Sequence, residues 1–405
     1  MRISSKWQTR PFSKVLSMPP RNGLSPSSDG TVIAKVLTLS AITGDRFDET
    51  QFKESTFHSK PSSNQTVDHR DFLICRGNGN IKLVGRGFFP THNMEDTLFP
   101  DTMIAVRPNA EILPEFLEFL WNGDVVRRQI EAMARTTNGT FKINQKMFER
   151  IEIPLPSIPE QQLIARALGQ AAALRDQRRK AIALIDDLAK STFLDLFGDP
   201  VKNAQGFESV PLTEACHPYS GGTPTKSNAK YWSGNLPWFT PKDMKHSDLW
   251  DSQDHISEQV PQETNLKLLP PNTVAIVVRG MILSHTFPVS VLRIPATINQ
   301  DIKALLPKRE IEPQFLAACL RAQSTHALQQ VSTAAHGTKR LDGEGLGNIS
   351  IILPSMDLQR HFTQKLDKIN QIRASHQKYL NEADALFTSL QQRAFRGDMW
   401  DNQDN

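Results

Sequence analysis

The residues of this chain best suited to chemistry are amides, hydroxyls, lysines and arginines set in glycine-bearing turns. In the second half, Gly221-Gly222-Thr223-Pro224-Thr225-Lys226 offers backbone N–H groups and a lysine to a phosphate, and Trp232, Trp238, Thr240 and Lys242 follow. Arg279 stands at a strand end before Gly280. Its planar fork matches guanine O6 and N7, as the amides of Asn299 and Gln300 match adenine. Gly337-Thr338-Lys339-Arg340 is another basic, hydroxyl-bearing loop. The first half offers Arg76, Asn78, Asn80, Lys82 and Arg86, then Asn138-Gly139-Thr140 with Lys142. The chemistry is contact with DNA phosphates and base edges. Each feature also has an ordinary structural reading: an Arg-Gly turn with a surface ion pair, tryptophans as core anchors, a Gly-Gly-Thr-Pro turn that only turns. Repetition favours the DNA reading, because Gly139-Thr140 returns as Gly337-Thr338 on otherwise diverged sequence.

Motifs of catalysis are absent. The sequence has no Gly-x4-Gly-Lys-[Ser/Thr] loop and no G-x-G-x-x-G after a strand, and GNGNIKLVGRG is a lone glycine-rich turn. Gly-x-Ser-x-Gly is missing, and Pro19-Pro20 and Pro270-Pro271 lack the flanking Asn/Asp and aromatic of an amino-methyltransferase site. Histidines such as His285 and His336 are dispersed, so no catalytic or metal-ligating residue is assigned. Cys75, Cys216 and Cys319 lack the spacing of a disulfide framework or a zinc site and read as small buried hydrophobes in a reducing cytoplasm. A composition of 39% hydrophobic and 22% charged residues is that of a soluble protein. No apolar run is long enough to span a membrane, and the N-terminus lacks the apolar core of a signal peptide. A net charge of +4 is too mild to decide for or against nucleic acid.

The elements that would position these residues come in two copies. The stretch from Ile151 to Pro200 has a counterpart in which Ile349, Ile351, Leu353, Pro354, Ser355 and Gln359 stand for Ile151, Ile153, Leu155, Pro156, Ser157 and Gln161. For a chain of 405 residues this means two domains of one plan. Residues 1–30 read as a poorly ordered lead-in, Val32–Thr43 as a strand, Asp71–Asn80 as strand then turn, and Thr102–Pro108 as a strand. Leu113–Met133 has helical spacing with a break at Gly123. Thr273–Gly280 is a buried-strand pattern in the second domain. Ser157-Ile158-Pro159-Glu160 predicts a capping box, its serine oxygen capping an early N–H, at the start of a helix that Gly198 and Pro200 end. At about 1.5 Å per residue it runs roughly 57 Å.

One heptad frame places Ile164, Ala167, Ala171, Leu174, Ala181, Ile185 and Leu188 in a seam with Arg178. The second copy places Phe362, Ile369, Ile372, Tyr379, Ala383, Leu386 and Leu390 there with His376. Antiparallel pairing would bring Arg178 and His376 to a polar central layer, unless both side chains snorkel outward.

Two unlike α+β domains, each followed by an L-P-x-x-x-x-Q helix, resemble the specificity subunit of type I restriction-modification systems. The residues that carry the resemblance are Ser220-Gly221-Gly222-Thr223-Pro224, Tyr231-Trp232, Pro237-Trp238, Lys242-Asp243, Arg279-Gly280, Asn299-Gln300 and Gly337-Thr338. The helix starts add Ile153-Pro154-Leu155-Pro156 with Glu160-Gln161, and Ile351-Ile352-Leu353-Pro354 with Gln359. The first domain lacks the GGTP and Pro-Trp signatures.

The resemblance implies an α+β fold with two target-recognition domains, residues 1–156 and 207–354. Two spacer helices, 157–198 and 355–397, would pair as an antiparallel coiled coil with an internal pseudo-twofold repeat. It further implies that each domain reads one half of a bipartite, asymmetric site in double-stranded DNA. The helices would set the unread spacer and dock two methyltransferase subunits, with Gln161, Arg178, Gln359 and His376 at the subunit interface. S-adenosylmethionine, ATP and Mg²⁺ would belong to those and to the restriction and translocase subunits, leaving this chain cytoplasmic, without membrane contact, non-catalytic and cofactor-free. The alternative is a helical scaffold whose globular domains bind protein; an autonomous methyltransferase is a third reading.

Overall fold

A computed structural model describes residues 7–58, 62–137, 139–148, 150–334 and 337–399. The chain divides into two units, Met1–Arg179 with Tyr379–Asn405, and Lys180–Lys378. The elements of each unit are mixed α and β.

The first unit begins earlier than its composition predicts. Gln8–Pro11 pairs antiparallel with Glu152–Leu155, and the Phe12 N–H donates to the Ile151 carbonyl at 2.7 Å. Phe12 and Val15 are fully buried, with the Phe12 ring 4.5 Å from Trp121. The reading of residues 1–30 as a loose lead-in is therefore corrected for residues 7–30. Proline and serine there shape turns between short strands, and two apolar side chains suffice to anchor the segment.

Two four-stranded sheets follow, in the orders Arg21–Asn22, Met103–Val106, Phe72–Cys75, Gly87–Phe88 and Phe52–Phe57, Val32–Leu37, Met94–Leu98, Thr66–Val67. The strand expected over Val32–Thr43 ends at Leu37, because a short helix takes Ser40–Thr43. Helices Pro114–Trp121 and Asp124–Met133 are separated at Gly123, as the spacing predicts. Just before strand Phe72–Cys75 the Asp71 carboxylate, 1% exposed, takes a 2.7 Å ion pair from Arg107 and another from Arg21.

The second unit repeats the plan. Glu208–Pro211 pairs with Ser350–Leu353, and the Leu212 N–H donates to the Ile349 carbonyl at 2.7 Å. A five-stranded sheet runs Cys216–Ser220, Ile302–Pro307, Thr273–Val277, Val289–Leu292, Asp248–Leu249. Helix Pro313–Ala322 packs Phe315 into its core.

The long helices span Ile158–Phe197 and Met356–Arg396. In the first unit Arg175 Nε meets Asp384 at 2.5 Å and the Arg178 guanidinium lies 5.2 Å over the Tyr379 ring, so the two segments run antiparallel there. In the second unit Arg373 Nε meets Asp186 at 2.7 Å and Phe193 packs on Phe362, again antiparallel.

The heptad frame needs one correction, identical in both helices. Ile164, Ala171, Phe362 and Ile369 are buried as expected, whereas Leu174, Leu188, Ile372, Tyr379 and Leu386 are exposed. The alternate seam positions lie one residue later, where Leu168, Leu366 and Leu380 are buried. Leucines on the outer face misled the pattern, since an apolar residue on a helix surface is ordinary.

The capping box forms only in part. Ser157 N–H donates to Glu160 Oε2 at 2.9 Å, but the Ser157 hydroxyl donates to the same oxygen at 2.7 Å and does not cap an early N–H. In the second copy Ser355 Oγ does accept from Leu358 N, at 3.4 Å.

Candidate nucleic-acid interface

In the second unit the strand Cys216–Ser220 lies beside Ile302–Pro307, with Ser220 opposite Lys303. The chain then passes so close to residue 298 that a Cβ on Gly221 would lie 1.9 Å from the Ile298 carbonyl oxygen. Glycine alone allows that approach, and the Gly222 N–H completes it by donating to the same oxygen at 3.1 Å. The turn delivers Thr223, whose hydroxyl donates to Gln300 Oε1 at 2.7 Å. Lys303 Nζ donates to Ser220 Oγ at 2.8 Å.

From the other side, Ser332–Thr333 and Lys339–Arg340 form a hairpin that includes Gly337 at φ +79°. It joins the sheet through a bridge of Arg279 with Arg340, and the Gly280 N–H donates to the Lys339 carbonyl at 3.0 Å. Gly280 itself holds φ +138°. A cleft of about 260 Å³ results, lined by Ser220, Arg279, Gln300, Lys303 and Arg340 among others. Among the described residues, ion pairs in this unit engage Lys242, His255, Arg293, Arg309, Arg360 and Arg373, among others, and none engages Arg279, Lys303 or Arg340. Burial and then the neighbouring Arg340 charge hold the Lys303 pKa below its ordinary value.

In the first unit, Arg135–Thr137, Thr140–Lys142 and Gly77–Asn78 form a three-stranded sheet. Gly139, at φ +74°, occupies the turn. Lys142 lies opposite Arg135 on one side and Gly77 on the other. Arg76 borders this sheet through its carbonyl, which accepts from Ile143 N at 2.9 Å. Arg76 also lines a cleft of about 400 Å³ with Asn22, Asn144, Gln145 and Lys146. The two units thus share a feature: two cations directly across a ladder, Arg135 with Lys142 and Arg279 with Arg340. Like charges in that position are destabilising, so the arrangement suits an anion that is not part of the chain.

Several sequence assignments need correction. Trp238 is 6% exposed, and its Nε1–H donates to the Gly222 carbonyl at 2.9 Å, so it anchors the glycine loop from beneath. Thr240 is buried against Asp243, and the buried Asn299 Oδ1 accepts from Asp301 N at 3.0 Å. None of the three presents an edge to a ligand. Gln161 and Gln359, assigned to the subunit interface, are buried within their own units. Gln161 accepts from Leu113 N at 2.8 Å and donates to the Glu111 and Pro156 carbonyls, while Gln359 accepts from Glu312 N at 3.0 Å and donates to Pro354. They clamp each helix start to its unit. Of the other two interface residues, Arg178 covers Tyr379, and His376 Nδ1 is buried without a hydrogen bond.

Other assigned residues are engaged locally. Asn78 and Asn80 accept from Asn80 N and Lys82 N, closing their own loop. Arg86 donates to the Thr43 carbonyl at 3.2 Å, and Lys242 pairs with Asp254 at 2.7 Å. Lys82, Lys226, Gly139 and Lys142 are exposed, Thr140 and Thr338 half-buried, and Lys339 Nζ donates to Thr333 Oγ1 at 2.8 Å. Asn138 and His336 lie outside the described residues.

The structure adds Lys303, Arg135, Asn22, Asn144, Gln145 and Lys146 to these clefts and ladders, and places Ser220, which the sequence marks only with the Gly221-Gly222 turn, in the lining of the second unit's cleft. Arg135 was within reach of sequence, because a hairpin turning at Gly139 must place residue 135 across from 142. Lys303 and Asn22 come from strands whose neighbours only the sheet order reveals.

Burial pushes the Cys75 and Cys216 thiols up to about 11 and Cys319 to about 12, so all three are poor nucleophiles at neutral pH. Among the described residues no group of three or more His, Cys, Asp or Glu side chains is placed to hold a metal ion. No helix there is long and apolar enough to cross a membrane.

The family model for the type I restriction modification DNA specificity domain matches residues 91–183 and 204–384. The chain belongs to this family. Its similarity to curated members of the type I restriction-modification specificity family is moderate. It is 29% identical over 231 residues to the EcoR124I/EcoR124II specificity subunit of Escherichia coli, covering 55% of this chain and 56% of that one. The chain thus spans about half the length of that relative. The HindI specificity subunit of Haemophilus influenzae is 25% identical over 362 residues, 70% of this chain and 77% of the relative. Among solved structures, the type I restriction-modification S subunit from M. genitalium has the same fold, with a TM-score of 0.50 at 15% identity and 98% of each chain covered.

Proposed function

We propose that this chain reads a bipartite, asymmetric site in double-stranded DNA, one half with each unit, as the non-catalytic specificity subunit of a type I restriction-modification complex. The observation that carries the reading is the pair of opposed cations in each unit, Arg135 with Lys142 and Arg279 with Arg340; Asp342, which also lines the second cleft, accepts from the Gly345 N–H at 2.9 Å and makes no ion pair with either arginine among the described residues. Each pair sits beside a loop of amides and hydroxyls that can reach base edges, and phosphate relieves the repulsion that the fold builds in. The long helices form an antiparallel coiled coil with an internal pseudo-twofold repeat, and each unit meets its own half-site on one duplex. The outer faces of the helices, where Leu174, Leu184, Leu188, Ile372 and Leu386 are exposed, dock two methyltransferase subunits. S-adenosylmethionine, ATP and Mg²⁺ belong to those and to the restriction and translocase subunits, in the cytoplasm.

Mapping methylated adenines in cells that carry the complete system tests the reading. Wild type should yield one split motif, and Arg279→Ala with Arg340→Ala should relax or abolish one half of it while the other half stays. An unchanged motif would remove the second unit from DNA. A DNA reader loses duplex affinity steeply as salt rises, whereas a scaffold that binds protein and not DNA would show no duplex affinity even at low salt.

A further inference from the structure

The second unit contains a hollow that lies apart from the DNA-facing cleft, between its share of the long helices and the sheet. Its volume is about 450 Å³, inside the range of roughly 300–1,000 Å³ typical of small-molecule sites. The floor is apolar, from Phe193, Phe287, Val289 and Phe362.

The internal repeat explains why the hollow exists. Helix Pro114–Trp121 carries Phe119 at its sixth position, where helix Pro313–Ala322 carries Ala318. On the long helices, Phe387 stands where the other copy has Ala189. In the first unit the Phe119 and Phe387 rings pack 6.0 Å apart, and the Arg175 guanidinium lies 4.5 Å over Phe387. In the second unit both rings are replaced by alanine, and both alanines line the hollow. The surrounding frame is kept, since Arg373 pairs with Asp186 as Arg175 pairs with Asp384. The space is therefore shaped for aromatic rings that this unit does not supply.

Its walls also carry charge. Asp186 and Asp248 are the carboxylates that line it, and they are engaged by Arg373 and Arg293 at 2.7 and 2.6 Å. Lys190, Lys245 and Arg321 line it as well, and no ion pair among the described residues neutralises them. Arg321 donates to the Val289 and Ser247 carbonyls, which fixes its guanidinium in the wall.

We propose that this hollow is a binding site for a small aromatic anion, whose ring fills the space that Phe119 and Phe387 fill in the first unit and whose charge meets Lys190, Lys245 and Arg321. A ring beside Arg373 gains a cation–π contact like that of Arg175 on Phe387. Such a ligand binds once per chain, because in the first unit the Phe119 and Phe387 rings fill the matching space.

The probe is 1-anilinonaphthalene-8-sulfonate, titrated by fluorescence into the full-length chain, with the uncharged N-phenyl-1-naphthylamine beside it. Wild type should bind one sulfonate per chain at least tenfold more tightly than the neutral analogue. Ala189→Phe with Ala318→Phe should lower that affinity at least tenfold, and Phe119→Ala with Phe387→Ala should create a second site. Lys190→Met with Lys245→Met, both at the rim, should erase the preference for the anion even if the phenylalanine variant does not fold. Equal binding of sulfonate by wild type and the phenylalanine variant would overturn the site. Equal binding of sulfonate and neutral analogue by wild type would overturn its anion specificity.

Discussion

Arg340→Ala separates a residue kept for DNA from one kept for the fold. Arg340 is exposed, bridges to Arg279 across the ladder, and lies close enough to Lys303 to lower that lysine's pKa. Removing one of two opposed like charges relieves repulsion of a few tenths of a kcal/mol at an exposed site, so stability should stay level or rise by up to about 0.5 kcal/mol. The cost should fall on DNA. Each neutralised phosphate contributes about 0.9 to the slope of log affinity against log salt. Over a fourfold change in salt, from roughly 50 to 200 mM, one lost contact therefore removes about 3.5-fold of the salt-driven affinity change. Titration of a duplex at four or five salt concentrations, with urea unfolding of the same preparations, reads both quantities. Wild-type salt slope together with destabilisation above about 1 kcal/mol would refute the reasoning, since Arg340 would then be structural.

Four further outcomes follow from the same contacts. Arg279→Ala should weaken discrimination at one base by about 1–3 kcal/mol if its fork is bidentate, visible as relaxed preference in a base-substitution series. Gly221→Ala should cost about 1–3 kcal/mol by forcing the loop off Ile298, and should uncouple Thr223 from Gln300; unfolding and DNA titration read the two effects. Asp71→Ala should cost about 1–3 kcal/mol in urea unfolding, because Arg107 and Arg21 lose a buried partner while Arg107 keeps Asp68 and Arg21 keeps the Asn64 carbonyl. Burial pushes the Glu118 carboxyl up to about 7, against an ordinary 4.5 and the N–H that Phe89 donates. The folded state then holds the proton more tightly than the unfolded one, so stability is greatest below about 4.5 and falls as pH rises to about 7. Glu118→Gln should therefore stabilise the chain by about 1–3 kcal/mol at pH 8 and by almost nothing at pH 4.

Much of the site was legible because glycine and charge are local signals. Gly139 and Gly337 adopt positive φ in matching turns, and the basic residues beside them sit in hairpins that the two-copy plan implies. Trp238, Thr240 and Asn299 were misread for the opposite reason. Their residue types suit a DNA contact, but burial decides whether an edge faces outward, and each is covered by its own unit. The heptad was misplaced by one position at alternate seam sites because leucine occurs on both the inner and outer faces of these helices.

What the sequence determined by itself is the repeat: two α+β units, two long helices, and the polar turns carried twice. Those follow from spacing, caps and glycine, which act over a few residues. Only the tertiary structure decided which cations stand opposed across a ladder, which glutamines clamp each helix start to its own unit, and where alanines leave a hollow. Each of those depends on strand neighbours or helix faces brought together from distant segments, and no local pattern records what lies across the gap.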